Sequence, residues 1–481
     1  MDKLRYAQTQ EQQQYWGKLR PINLPSASDT YKRTMSGSST LFANSPAVYY
    51  SAARRPLAED SQGRLVVAGL EKTLYPFFGS EVTAQEVERA KAFFTRKAQV
   101  KKFPEEAWQQ VLDNQGRMPV DIYGLPGGQT ILAKDGKHVP LMVVEGPGAI
   151  ASHIEAQLET QYAPIIHATK ARLFQEVVGE GFAEFGLRSE ALLNNHPTLM
   201  MALKVGGNFS YTSDDQSVLL FDDFKDVGTL GHEFIMAYQQ EGLSLEEAQQ
   251  QAFTDFVEQN DRSALLADTI HTTKSGLVEA IRQIQANPHK SIGPRLDSGD
   301  VISQAVAWKK MTQQAGIENT WLVVEDGYNP AKAQETFDAY RAAGFNPNDI
   351  IVGAGGYFHE NCTRDAISLA YKRSATTHKG VLEPSLKFSN SPGKESIPGN
   401  IRLYAQGRTL LVAQAHEDID GTPLMKKLVE NGRILYDESL DEQHMRTSKT
   451  WDAYDTIEYS KETQALIDSR VRERDDLVSR L

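Results

Sequence analysis

The sequence predicts an α/β fold: a barrel of parallel strands and helices, with an additional α+β domain drawn from residues near both ends of the chain. Three observations carry this reading. Between about residues 180 and 375, short apolar runs alternate with helical segments. Charged and polar residues collect where each apolar run stops. Outside that stretch the alternation ends, and hairpin-like and helical segments mix. Alternation at this pitch builds a parallel sheet, and a run this long curls toward a barrel. The C-terminal ends of barrel strands are where functional residues gather. The expected division is 1–150 for the α+β domain, 151–380 for the barrel, and 381–481 for a segment packing back on the first domain.

The elements follow in order. Residues 1–28 are polar and glutamine-rich, a helix or an arm. Residues 64–99 open strand-like at Leu65-Val66-Val67-Ala68 and then take helical charge patterning. Residues 129–145 read as a hairpin: Thr130-Ile131-Leu132, a turn at Asp135-Gly136-Lys137, then Val139 to Glu145, stopped by Gly146-Pro147-Gly148. Residues 150–178 space Ile154, Leu158, Tyr162 and Ile166 as one long helix with a kink at Pro164. In the barrel, Ala264 to Asp268 precedes a helix near 275–286. Ser291 to Arg295 precedes one near 300–315, and Trp321 to Asp326 one near 330–343. Asp349 to Gly353 runs into a glycine loop. Residues 387–413 read as loop and short strands, and 420–481 as a charged, helical-to-irregular tail.

Composition narrows the function. The chain has 481 residues, 40% hydrophobic and 24% charged, as in ordinary globular enzymes. No apolar run is long enough for a membrane span. The opening Met1-Asp2-Lys3-Leu4-Arg5-Tyr6-Ala7-Gln8 lacks the apolar centre of a secretory signal. The single cysteine, Cys362, excludes an internal disulfide and a cysteine-based metal site, and a cytoplasmic location is expected. A net charge of −12 argues against a general nucleic-acid binder. An anionic substrate would need a local basic pocket.

Two stretches at strand ends carry the chemistry. In Gly228-Thr229-Leu230-Gly231-His232-Glu233, Thr229 suits a helix cap, and a histidine here is more often structural than catalytic. Its functional reading is a phosphoryl acceptor, with Glu233 orienting the His232 ring. In Arg295-Leu296-Asp297-Ser298-Gly299-Asp300, the plain reading is turn chemistry. Yet an arginine and two aspartates so close suit a ribose phosphate. Asp297 and Asp300 can accept ribose hydroxyls, reach Mg²⁺ through water, or stabilise a cationic ribose. After Ile350-Ile351-Val352, Gly353-Ala354-Gly355-Gly356 lets backbone N–H groups approach a phosphate. Arg54-Arg55 near the N-terminus can add cations to such a pocket.

Together these stretches resemble the nicotinate/nicotinamide phosphoribosyltransferases, the type II enzymes that join a pyridine base to phosphoribosyl pyrophosphate. Further matches are Asp29-Thr30-Tyr31-Lys32, Glu184-Phe185-Gly186-Leu187-Arg188, Thr363-Arg364-Asp365 with Tyr371-Lys372, and Ser389-Asn390-Ser391-Pro392-Gly393-Lys394. The resemblance spans roughly residues 29–440, in family order. It implies a type II phosphoribosyltransferase-like α/β barrel and a homodimer with composite sites. Phe185 and the neighbouring subunit's Tyr31 would sandwich the ring. Arg188 and Arg295 would flank base and phosphate. Gly355, Gly356, Asp268 and Asp326 would line the substrate, and Arg55, Arg364, Lys372 and Lys387 would grip phosphates. ATP would phosphorylate His232, and Mg²⁺ would accompany the donor.

The chain is a hybrid of the two branches of that family. Ser189 stands where nicotinate enzymes usually carry a second arginine. Their Thr-Ser-Asn stretch, after Gly206-Gly207, is here Thr212-Ser213-Asp214-Asp215. A carboxylate about 4 Å from nicotinate costs roughly 4 kcal/mol at an effective dielectric near 20. Asp214 or Asp215 facing the ring would therefore favour nicotinamide; alternatively both cap a surface turn. The Gly228-Thr229…His232 and 387–399 stretches lean to the nicotinate branch. Three other readings stay open: nicotinate as acceptor, a larger pyrophosphate-activated donor, and a catalytically silent nucleotide sensor.

Overall fold

Seven parallel strands form the sheet that positions the site. They are β1 (Phe182–Glu184), β2 (Tyr211–Thr212), β3 (Lys225–Asp226), β4 (Arg262–Leu266), β5 (Ser291–Leu296), β6 (Leu322–Val324) and β7 (Ile350–Ala354). Their order is β3-β2-β1-β7-β6-β5-β4, cyclic in sequence, with β3 and β4 as the two edges of an open barrel. Arg295 pairs with Leu266 on one side and Val323 on the other, so the charged ends of β4, β5 and β6 lie level. Strands β1 and β6 are buried throughout, as parallel strands covered on both faces require. The computed structural model describes residues 9–388 and 395–480.

The crossover helices are set by local signals. Leu245–Gln259 starts at Ser244 with a capping box closed by Glu247. Val301–Gln314 is capped by Asp300, and Pro330–Ala342 by Asn329 with Pro330 in its first turn. Trp308 and Tyr340, on the last two, are fully buried.

The chain divides into two compact units, one of Lys170–Leu203 with Gly207–Glu360, the other of Met1–Thr169, Lys204–Gly206 and Asn361–Leu481. The barrel unit is thus shorter at both ends than the 151–380 span read from the sequence. The other unit combines residues from both ends of the chain. Its larger sheet is antiparallel, in the order Val381–Pro384, Ala370–His378, Pro46–Ala52, Met142–Pro147, Asp121–Gly124, Lys426–Glu430, Arg433–Ile434. A four-stranded sheet adds Ile401–Gln406, Thr409–Gln414, Thr422–Pro423 and Thr456–Tyr459.

Three local readings need correction. The hairpin at 129–145 does not form: Thr130–Leu132 pairs with Arg64–Val66, and Met142–Pro147 with Pro46–Ala52 and Asp121–Gly124. The helix at 150–178 is three helices, Gly148–His153, Glu155–Glu159 and Tyr162–Val178. Pro164 sits in the first turn of the last, where its missing N–H disturbs nothing. The tail after 420 contributes strands and two helices, Leu440–Thr450 and Lys461–Arg480. Among the described residues, no helix is long and apolar enough to cross a membrane.

An ion cluster, buried at Arg64 and Asp60 and exposed at Asp452, ties the two ends of this unit together. Arg64 Nη2 lies 2.9 Å from Asp60 Oδ1, and Nη1 lies 2.7 Å from Asp452 Oδ1. Its guanidinium stacks 3.9 Å over the Trp451 ring. Asp60 is buried, so removing Arg64 strands its charge. Arg64→Met should cost about 3–5 kcal/mol in urea unfolding. An unchanged midpoint would show that the cluster does not tie the segments.

Candidate active site

Arg295, near the end of β5, is the hub of the barrel's C-terminal face. Its Nη1 donates to the Thr229 hydroxyl after β3. Its Nη2 donates to Asp297 Oδ2 at 3.0 Å, and its Nε lies 3.4 Å from Glu325 Oε2 after β6. Thr229, read as a helix cap, instead serves this arginine. The Glu325 N–H donates to the Leu296 carbonyl at 2.8 Å, which fixes where its side chain starts.

Asp268, just past β4, has a side chain only 4% exposed. Its Oδ2 accepts from the Ser298 hydroxyl. Its Oδ1 is 3.9 Å from His232 Nε2, and His232 Nδ1 is 3.0 Å from Thr269 Oγ1. His232 opens the helix His232–Met236, with a side chain 46% exposed and so open to a substrate. Thr269 and Asp268 orient the ring, in place of the expected Glu233; successive residues on a helix do not face each other. Asp268 Oδ1 and Glu325 Oε1 are both buried without a hydrogen-bond partner.

A second network holds the β1 end. Glu184 is fully buried. It accepts from the Gly186 N–H and from the Thr212 hydroxyl at 2.9 Å, and lies 3.2 Å from His196 Nε2. His196 Nδ1 meets Asp214 Oδ2 at 3.0 Å. Burial works to lower the His196 pKa, but hydrogen bonds and charges from Asp214 and Glu184 prevail and raise it to about 9. For Asp214 burial works upward, and the bonds from His196 and Ser217 hold it below the usual carboxylate value. Asp214 also caps the helix Asp215–Leu220 through the N–H groups of Gln216 and Ser217. Its carboxylate is spent on this network and Asp215 is exposed, which corrects the expectation that one of them faces the base.

Glycines bring Phe185 to the hub. A Cβ on Gly186 would fall 2.7 Å from Gly355 Cα, and one on Gly355 2.3 Å from Gly186 Cα, so only glycine lets these loops touch. A Cβ on Gly353 would fall 2.5 Å from Glu325 Cγ and 2.9 Å from Phe185 Cδ2, so the ring edge and this glutamate share one narrow space. Gly356 faces open space, Phe185 is half-buried and Arg188 is exposed. Burial raises the Glu325 pKa to about 7; Arg295 opposes the shift, Asp297 adds to it, Arg188 opposes and Asp268 adds.

Two expected residues take other places. Asp300 caps its helix through the Ser303 N–H at 3.0 Å, and its side-chain and backbone bonds to Ser303 lower its pKa. Asp326 adopts a left-handed φ of 81° and turns out to solvent, 3.5 Å from Lys332. Glu325, its neighbour, enters the cluster instead. Its signal was present: the first charge after Leu322-Val323-Val324. His196 was missed because nothing near residue 196 announces partners at 184 and 214.

The other unit carries the basic set. Lys372 Nζ donates to the Tyr371 carbonyl at 2.8 Å. Burial leads in lowering its pKa, with Arg54 and Lys387 adding and Glu155 and Glu159 opposing. Arg54 is thus the arginine near Lys372, whereas Arg55 is exposed. Arg364 lies 2.8 Å from Asp365 and 3.6 Å from Glu159. Exposed Lys387 anchors its backbone N–H on Ser396 Oγ at 2.8 Å. Tyr31 is half-exposed and donates to Glu155 Oε2 at 3.1 Å, beside the Lys32–Glu155 ion pair. The matched loop Ser389 to Lys394 lies outside the described residues. Among the described residues, no three of histidine, cysteine, aspartate or glutamate converge to hold a metal.

The His196 network makes stability pH-dependent. Its folded pKa is raised, so its contribution is complete below about pH 6.5 and is lost as pH rises through about 9. The parent should lose about 2–3 kcal/mol across that window, and His196→Gln should remove the slope. Denaturant unfolding at several pH values measures this; equal slopes in both proteins would contradict it.

Residues 181–395 match the nicotinate phosphoribosyltransferase (NAPRTase) family, and residues 23–122 match the nicotinamide phosphoribosyltransferase N-terminal domain. A nicotinate phosphoribosyltransferase of Bacillus subtilis (strain 168) is 26% identical over 326 residues, covering 67% of this chain and 59% of that protein. A nicotinamide phosphoribosyltransferase of Xanthomonas campestris pv. campestris (strain 8004) is 22% identical over 421 residues, covering 78% and 88%. The crystal structure of human nicotinic acid phosphoribosyltransferase superposes with a TM-score of 0.71 at 18% identity, covering 92% of this chain and 99% of that one. The two matched segments, the fold and the ordered strand-end residues agree: this chain is similar to the nicotinate/nicotinamide phosphoribosyltransferase family.

Proposed function

We propose that the chain transfers phosphoribose from phosphoribosyl pyrophosphate to the ring nitrogen of nicotinamide or nicotinate, giving the pyridine mononucleotide for NAD synthesis. The observation that supports this best is the Arg295–Asp297–Glu325–Asp268 cluster beside Phe185. In the reaction the C1–oxygen bond breaks, pyrophosphate leaves with the electron pair, and the ring nitrogen forms the new bond to C1. Cationic character grows on the ribose, and carboxylates fixed nearby favour it. Phe185 offers a flat face for the ring. Gly356 leaves backbone open to a phosphate.

The acceptor we favour is nicotinamide, and a specific observation supports the alternative. The longer family match and the Bacillus relative are of the nicotinate kind. Mg²⁺ is proposed as an ion carried by the donor's phosphates, with the nearby carboxylates suited to contact it through water. His232, exposed and held by Thr269 and Asp268, is the proposed acceptor of a phosphoryl group from ATP. Arg364, Lys372, Lys387 and Arg54 are the proposed pyrophosphate grip. A homodimer, with Tyr31 of the partner subunit closing the aromatic sandwich, and a cytoplasmic location complete the reading.

Mass spectrometry of the protein incubated with phosphoribosyl pyrophosphate, Mg²⁺ and each base tests the reaction. A mononucleotide with at least one base is expected; none with either would leave the silent-sensor reading. His232→Ala should lose ATP stimulation and phosphoprotein formation while keeping basal transfer. ATP-dependent rates equal to the parent's would remove the histidine from this role.

A further inference from the structure

We propose that Glu325 selects the acceptor base by charge, admitting an uncharged carboxamide and working against an anionic carboxylate. This rests on the phosphoribosyl-transfer reading above. The sequence had placed such discrimination on Asp214 or Asp215, but one is consumed by His196 and a helix cap and the other faces solvent. A Cβ on Gly353 would meet both Glu325 Oε1, at 2.8 Å, and Phe185 Cδ2, at 2.9 Å, so this carboxyl group lies beside the edge of the ring.

Three features of the geometry support the assignment. First, Glu325 Oε1 is buried without a hydrogen-bond partner, as is Oδ1 of the deeply buried Asp268. Such vacancies are costly unless a ligand fills them. Second, Arg295 donates to Thr229 through Nη1 and to Asp297 through Nη2, while its Nε, without a hydrogen bond, lies 3.4 Å from Glu325 Oε2. Its charge is thus already shared between two carboxyl groups of the protein. Third, the charges facing Glu325 are Arg295 and Asp297 from β5, Asp268 from beyond β4, and Arg188 from beyond β1, while β7 offers only Gly353. Two cations are set against two carboxylates before Glu325 is counted.

The two forms of Glu325 differ in what they accept. Ionised, Oε1 accepts from a carboxamide NH₂ and repels a carboxylate. Protonated, the carboxyl donates to either group. Only the ionised form discriminates, and with a pKa of about 7 its fraction grows across the neutral range.

The test is kcat/KM for nicotinamide and nicotinate between about pH 6 and 8.5, in the parent, Glu325→Gln and Glu325→Asp. The ratio of the two cancels groups that act on both bases alike. In the parent, the nicotinamide-to-nicotinate ratio should rise about tenfold with pH. Glu325→Gln should flatten that profile and narrow the ratio about tenfold at the alkaline end, chiefly by gaining nicotinate. Glu325→Asp should keep a pH-dependent preference. A parent ratio that is flat with pH, or a glutamine variant that keeps the parent's profile or loses both bases equally, would overturn the proposal. The parent profile decides even if a variant fails to fold. A parent that makes no mononucleotide with either base removes the transfer reading itself, an outcome distinct from a flat ratio.

Discussion

The barrel face depends on one shared guanidinium. Arg295 meets residues from the ends of three strand segments: its Nη1 donates to Thr229, its Nη2 donates to Asp297, and its Nε lies 3.4 Å from Glu325. Without it, Asp297, Glu325 and Asp268 would crowd negative charge into a poorly solvated corner. With it, the carboxyl groups are held apart in fixed directions, and two buried oxygens stay free for a ligand. A lysine could not do this, because a point charge lacks the planar fork that reaches several partners at once.

The surroundings keep that cluster in register. The level pairing of β4, β5 and β6 puts Asp268, Arg295 and Glu325 at one height. The touching glycines 186 and 355 bring the β1 loop, and with it Phe185, to the same rim. Beneath that loop, Glu184, His196 and Asp214 form a buried carboxylate–imidazolium–carboxylate network. Phe185 therefore stands on groups that are paired with one another.

Much of this was legible in the sequence, and the exceptions have physical causes. Buried parallel strands read as continuous apolar runs, so strands such as Arg262–Leu266 and Ile350–Ala354 and the charges that follow them could be placed. Arg295 and Asp297 are two residues apart and needed no distant partner to be noticed. Choosing between Glu325 and Asp326 was beyond periodicity, because a left-handed turn at Asp326 decides which carboxylate points inward. Asp214 looked available because its partner lies 18 residues upstream. The hairpin at 129–145 failed for the same kind of reason: Thr130–Leu132 finds its partner at Arg64–Val66, far along the chain.

The central claim is that the Arg295 fork organises a transfer site, and Arg295→Lys tests it most directly by keeping the charge while removing the fork. The measurement is kcat/KM for mononucleotide formation from phosphoribosyl pyrophosphate, with the unfolding midpoint as a control for folding. The account predicts a loss of about two orders of magnitude with either base and a midpoint close to the parent's. Transfer within a few-fold of the parent's would contradict it.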